Sequence, residues 1–126
     1  MKLAYIDTSC LVAIGFGEHG ATSIGRRLRR FDELVSSNLL EAELRSTFAR
    51  EKLPLPAELM SAISWVIPDR PLHAEIAQVL AAGQVRGANC WHIAAALYLS
   101  PEPAAITFLT LDERQRGVAE TLGFEV

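Results

Sequence analysis

The apolar positions come in short runs whose period keeps changing. Residues 2–6 form a β-prone run that ends in Asp7-Thr8-Ser9, the pattern of a strand feeding a helix N-terminus. A helix is predicted over 9–16, and Gly17 and Gly20 then break the chain. Segment 21–30 carries Ile24 and Leu28 four apart, with Arg26, Arg27, Arg29 and Arg30 around them. That cluster reads first as a solvated helix face, the alternative being a rim that meets phosphates or an acidic partner segment. A short strand at 34–36 leads into a helix over 38–52, and Pro54 and Pro56 separate this helix from a second one over 57–65. Residues 66–67 make a minimal strand before the Pro68-Asp69-Arg70-Pro71 turn, 72–82 is helical, and 83–87 is a loop. Residues 90–100 are apolar on every side, which predicts a buried helix. A strand at 105–111, a helix at 113–122 and a last short strand at 124–126 complete the chain.

Strands alternating with helices imply right-handed βαβ units, and so an α/β fold with a parallel sheet covered on both faces. Ligands of such sheets sit at the carboxyl ends of the strands. With 126 residues, no internal repeat and no long polar linker, the expectation is one domain over 1–126.

Charge narrows the chemistry. Twelve Lys and Arg against fifteen Asp and Glu leave a net charge of −3. This argues against a protein that holds nucleic acid by bulk positive charge, but not against an enzyme that meets a polyanion through metal ions. The start, MKLAYID, has no apolar stretch of signal-peptide length, and the longest apolar run, 93–99, is far short of a membrane span. Cys10 and Cys90 form no CxxC pair and suit a reducing compartment as small buried hydrophobes, so a cytoplasmic location is expected.

The strand-end rule turns the acids into a pattern. Asp7 directly follows the first strand, Asp112 follows the strand TFLTL, and Asn89 opens the buried helix after Gly87-Ala88. All three should lie on one rim, each beside a helix N-terminus. Each has a plain structural alternative, because Asp and Asn are preferred caps and Asp112 with Gln115 has capping-box spacing. Thr8 or Ser9 offers another cap beside Asp7. Glu41 and Glu43 compete for a fourth place. At 100° per residue Glu43 falls between Leu39 and Leu40, on an inward face, whereas Glu41 pairs with Arg45 on a solvated one. An inward carboxylate needs a partner, so Glu43 is the better functional candidate. Convergent carboxylates with no cationic partner among their sequence neighbours suggest a hard cation, Mg²⁺ or Mn²⁺. The chemistry implied is metal-assisted hydrolysis of a phosphodiester.

YIDTS around Asp7, SSNLLEAELRS around Glu43, RGANCWHIAAALYL around Asn89 and FLTLDERQR around Asp112 resemble the PIN-domain ribonucleases, in particular the VapC-type toxins of toxin–antitoxin modules. The four pieces stand in the family's order, while residues 53–85 match only in helical character. The resemblance implies a three-layer α/β/α sandwich around a short parallel sheet, and a Mg²⁺- or Mn²⁺-dependent endoribonuclease. Asp7, Glu43 and Asp112 would be members of its acidic constellation. His92 would take a structural or hydrogen-bonding role and Trp91 a core or interface role. Thr8, Ser9 and Thr110 would be supporting hydroxyls. The implied partners are an RNA substrate, a small antitoxin, operator DNA through the antitoxin alone, and a second copy in a homodimer. One departure stands out: Asn89 replaces the family's usual aspartate, and an amide offers a metal a carbonyl oxygen but no charge and no base. A natural variant, a degenerate nuclease and an engineered substitution all fit that change. The competing reading is a catalytically dead binding module of the same fold. A phosphoacceptor receiver would show paired acids after the first strand and a late lysine, and a dinucleotide binder a GxGxxG; neither pattern is present.

Overall fold

The computed structural model describes residues 1–126. Four parallel strands, β1 (Leu3–Ile6), β2 (Glu33–Ser37), β3 (Ile63–Val66) and β4 (Ile106–Leu109), form one sheet in the order β3-β2-β1-β4. Six helices connect them: α1 (Thr8–Gly15), α2 (Ala21–Leu28), α3 (Leu39–Arg50), α4 (His73–Ala82), α5 (Gly87–Leu99) and α6 (Glu113–Thr121). The central strand β1 is buried on both faces from Ala4 to Ile6, as expected where helices cover a parallel sheet. Its alternation splits the core in two. Ala4 and Ile6 join Cys10, Leu11, Leu40, Leu44 and Phe48 on the side of α1 and α3. Tyr5 points the other way, into a larger cluster with Phe108, Ile93, Val79 and Val118 from β4, α5, α4 and α6. The result is an α/β/α sandwich of the expected class.

Four local expectations differ from the observed elements, two of them through tertiary pairing. The helix expected over 57–65 is a single 3₁₀ turn, Ala57–Leu59, and the minimal strand at 66–67 is instead β3. Ala57, Glu58, Leu59 and Met60 favour a helix locally, but Ile63, Trp65 and Val66 are β-branched or aromatic. They find a partner edge in β2, with Leu34 opposite Ile63 and Ser37 opposite Val66. The strand expected at 124–126 reduces to one bridge between Thr107 and Glu125. The buried helix starts three residues early, at Gly87, so Asn89 lies inside its first turn and Arg86 holds the cap position.

The carboxyl ends of β1, β2 and β4 therefore deliver Asp7, the start of α3 and Thr110-Leu111-Asp112 to one rim. The N-terminal turn of α5 joins them from above the sheet.

Candidate active site

Asp7 leaves β1 and caps α1, its Oδ2 taking the Ser9 amide at 3.2 Å. The alternative cap from Thr8 or Ser9 is not used. Asp7 is only 5% exposed, so it forms the floor of the site rather than its mouth. The Thr110 hydroxyl lies 3.2 Å from Oδ2 and Gln115 Nε2 lies 3.4 Å from Oδ1. Asp112 caps α6 in the same way, with Oδ1 accepting the Gln115 amide at 2.9 Å. Both aspartates are thus caps and rim carboxylates together.

α3 turns Glu43 inward and Glu41 outward. Glu41 pairs with Arg45 at 2.6 Å on the exposed side. Glu43 Oε1 receives the Thr8 hydroxyl at 2.7 Å and His92 Nε2 at 2.6 Å, while Oε2 takes no such bond. Partial burial alone would push the Glu43 carboxyl up; the bonds from His92 and Thr8 outweigh it and hold the carboxyl below its usual range.

His92 is fully buried, and its other nitrogen, Nδ1, lies 2.7 Å from the Tyr5 hydroxyl. That hydroxyl oxygen already accepts the Ser37 amide at 3.0 Å, so its proton is free for Nδ1. The Glu43 carboxylate can only accept, so the hydrogen on Nε2 points at Glu43. A line of groups from β2 through β1 and α5 sets the orientation of one carboxylate on α3.

Asn89 faces Asp112 with its amide nitrogen 3.3 Å from Oδ2. As placed, it donates to the neighbouring acid instead of adding an oxygen of its own. Asn89 is not a cap, as the helix begins before it.

Gln115 is the residue that sequence reasoning undervalued. It was legible only as capping-box spacing, yet it is fully buried and its side chain makes no reciprocal bond back to the cap. Its Nε2 reaches Asp7 and, at 3.3 Å, the Asn89 carbonyl, while Oε1 accepts the Thr110 hydroxyl at 2.6 Å. With the backbone bond to Asp112, one glutamine touches three of the four candidate positions. A buried glutamine whose polar atoms are all used was the available clue, but burial is not visible in the sequence.

Glu43, Asn89 and Asp112 line a cleft of ≈ 750 Å³, together with Gln84, Arg86 and Arg114. Two arginines share the cleft, although neither forms an ion pair. Arg86 approaches it from the cap of α5 and Arg114 from the first turn of α6.

A hard divalent cation fits the donor chemistry, since all candidate ligands are oxygens and Oε2 of Glu43 is uncommitted. Asp7, Glu43 and Asp112 would hold it, with Asn89 able to offer at most a carbonyl oxygen after rotation of its amide. As the side chains stand they are engaged with one another and do not close a three-ligand cage.

An α/β sandwich with acidic side chains gathered at the carboxyl end of its parallel sheet defines a phosphodiester-hydrolase type of architecture. The sequence profile described as PIN domain matches residues 4–121, and the chain belongs to that family, whose members are generally metal-dependent nucleases. No curated protein and no solved structure matches the chain.

Proposed function

We propose that this protein is a Mg²⁺- or Mn²⁺-dependent endoribonuclease, the toxin of a VapC-type toxin–antitoxin module. The observation that carries the reading is the gathering of three acids at the strand ends. Gln115 bonds both Asp7 and Asp112, Thr8 and His92 hold Glu43, and His92 Nε2 comes within 3.8 Å of Asp7 Oδ1, with Glu43 and Asp112 lining an open cleft. A bound divalent ion would supply a nucleophilic hydroxide and offset charge on the departing 3′ oxygen. The chain's own part is orientation. His92 and Thr8 leave Glu43 one free oxygen, Gln115 ties Asp7 to the α5 and α6 ends, and the floor at Asp7 is closed to bulk solvent. Growth inhibition would be relieved by a small antitoxin that covers the acidic site, operator DNA would be met only through that antitoxin, and the toxin would act as a cytoplasmic homodimer.

Asn89 favours a second reading, a PIN-fold binding module with a weakened or dead centre, because its amide is spent on Asp112. The test is Mn²⁺ titration and cleavage of a structured RNA by the chain and by Asn89→Asp. Restoring the carboxylate should tighten Mn²⁺ binding by roughly one to two powers of ten, the Coulomb gain being partly offset by repulsion from Asp112. Cleavage should rise with it. Without the ion, Asn89→Asp should unfold at lower temperature, because a donated hydrogen bond becomes a like-charge contact. Equal cleavage by both forms would show that the other three acids suffice. No cleavage by either would favour the binding module.

A further inference from the structure

Six of the ten arginines form no ion pair, and they fall in two places: the α2 stripe of Arg26, Arg27, Arg29 and Arg30, and the acidic cleft. The arginines elsewhere, Arg45, Arg50, Arg70 and Arg116, each lie within 4 Å of a glutamate. From this contrast we infer that Arg86 and Arg114 form a backbone-phosphate subsite that seats single-stranded RNA across the cleft; the inference rests on the nuclease reading and adds to it the residues that hold the substrate.

Arg86 stands at the cap of α5 and Arg114 in the first turn of α6, so the two approach the cleft from different elements. Asn89, Asp112 and, from α3, Glu43 line the same cleft. A cationic side chain at a helix N-terminus is at the unfavourable end of the macrodipole. Without a carboxylate to offset it, such a placement gains nothing for folding and suits an anionic ligand. The ligand must also tolerate carboxylates in the same cleft as the two cations. A strand of phosphodiesters does so, because its charges repeat at intervals along the backbone. One phosphate can sit on each guanidinium through paired N–H donors while the rest of the strand passes the acids. With a net charge of −3 the molecule draws no polyanion in bulk, so any attraction has to be local.

The experiment measures binding of a fluorescent single-stranded RNA to the full chain in EDTA, by anisotropy over a salt series. Arg86→Gln and Arg114→Gln are compared with Arg45→Gln, which removes the same charge from an exposed pair away from the cleft. Each cleft variant should bind roughly threefold to tenfold more weakly, with the slope of log affinity against log salt shallower by about 0.7 per arginine removed. Arg45→Gln should match the unaltered chain. All three positions are exposed, and unchanged thermal unfolding will show that folding is intact. Cleft variants that bind as Arg45→Gln does would overturn the subsite. A polyglutamate of equal charge that competes with the same arginine dependence would also overturn it, in favour of an acidic-peptide site. Arginine-dependent RNA binding without Mn²⁺-dependent cleavage in any form would leave the subsite standing and sink the nuclease reading instead.

Discussion

At the scale of single residues, the site depends on neutral donors more than on its acids. Tyr5, His92, Thr8, Thr110 and Gln115 use every buried polar atom to orient carboxylates, and none is left unpartnered. Removing one hydroxyl tests this. In Tyr5→Phe the Ser37 amide loses its acceptor and His92 Nδ1 its donor, both in buried surroundings. The expected cost is about 1–3 kcal/mol of folding stability in a denaturant titration. Packing alone would predict the same sign, so the deciding readout is ¹⁵N NMR of His92. Glu43 Oε1, 2.6 Å from Nε2, should keep the Nε2–H form in both proteins, while Tyr5→Phe should shift the Nδ1 signal as that nitrogen loses its donor. An unmoved Nδ1 signal would mean that Tyr5 gives it no hydrogen bond.

At the scale of elements, α5 is the organising helix. It brings Asn89 and His92 to the rim from its first two turns, and Ala94, Ala95 and Ala96 are fully buried where it crosses the sheet layer. Small side chains there let the helix lie close to β2, β4 and α4. A larger one forces it away, and the rim residues on the same helix move with it. Ala95→Leu should therefore lower stability by about 1–3 kcal/mol through overpacking. It should also disturb the His92–Glu43 contact, which lies about one turn earlier on the same helix. Chemical denaturation checks the first effect, and the His92 ring signals check the second. The edge strand β3 is less enclosed: Ser64 and Trp65 are exposed, and only Ile63 and Val66 at its ends join the core, beside the pairing with β2.

At the scale of the whole molecule, burial of weak acids makes the fold sensitive to alkali. Burial pushes the Cys10 thiol from 9.0 to about 12, and Tyr5 from 10.0 to about 12, the latter against hydrogen bonds from Ser37. Above pH 9 the unfolded chain releases the thiol proton while the folded chain keeps it, so fewer protons are bound in the unfolded state and stability falls as pH rises. Tyr5 adds the same sign above pH 10. Unfolding free energy should thus decline from about pH 9 and more steeply beyond 10, until the folded groups titrate near 12. Cys10→Ala should flatten the first part of that decline in urea titrations run at stepped pH. An unchanged slope would assign the loss to other groups. No helix is long and apolar enough to cross a membrane.

Much of this was readable from order and period. The βαβ rhythm, the buried α5 and the positions of Asp7 and Asp112 at strand ends follow from local pattern, since a strand's last residue and a helix's first are marked by caps and turns. The 100° period also separated Glu43 from Glu41, because a single helix fixes the relative direction of side chains two residues apart. Other features had no local signature. Residues 57–66 favour a helix until the free edge of β2 supplies hydrogen bonds that only another strand can complete. Gln115 resembled a cap until burial and the approach of three elements committed its side chain to Asp7, Asn89 and Thr110. Arg86 and Arg114, 28 positions apart in the chain, are neighbours only because two helices begin at the same rim. Local sequence determines which way each side chain leaves its own element, while the packing of elements decides which side chains meet, and the chemistry of this site lies in those meetings.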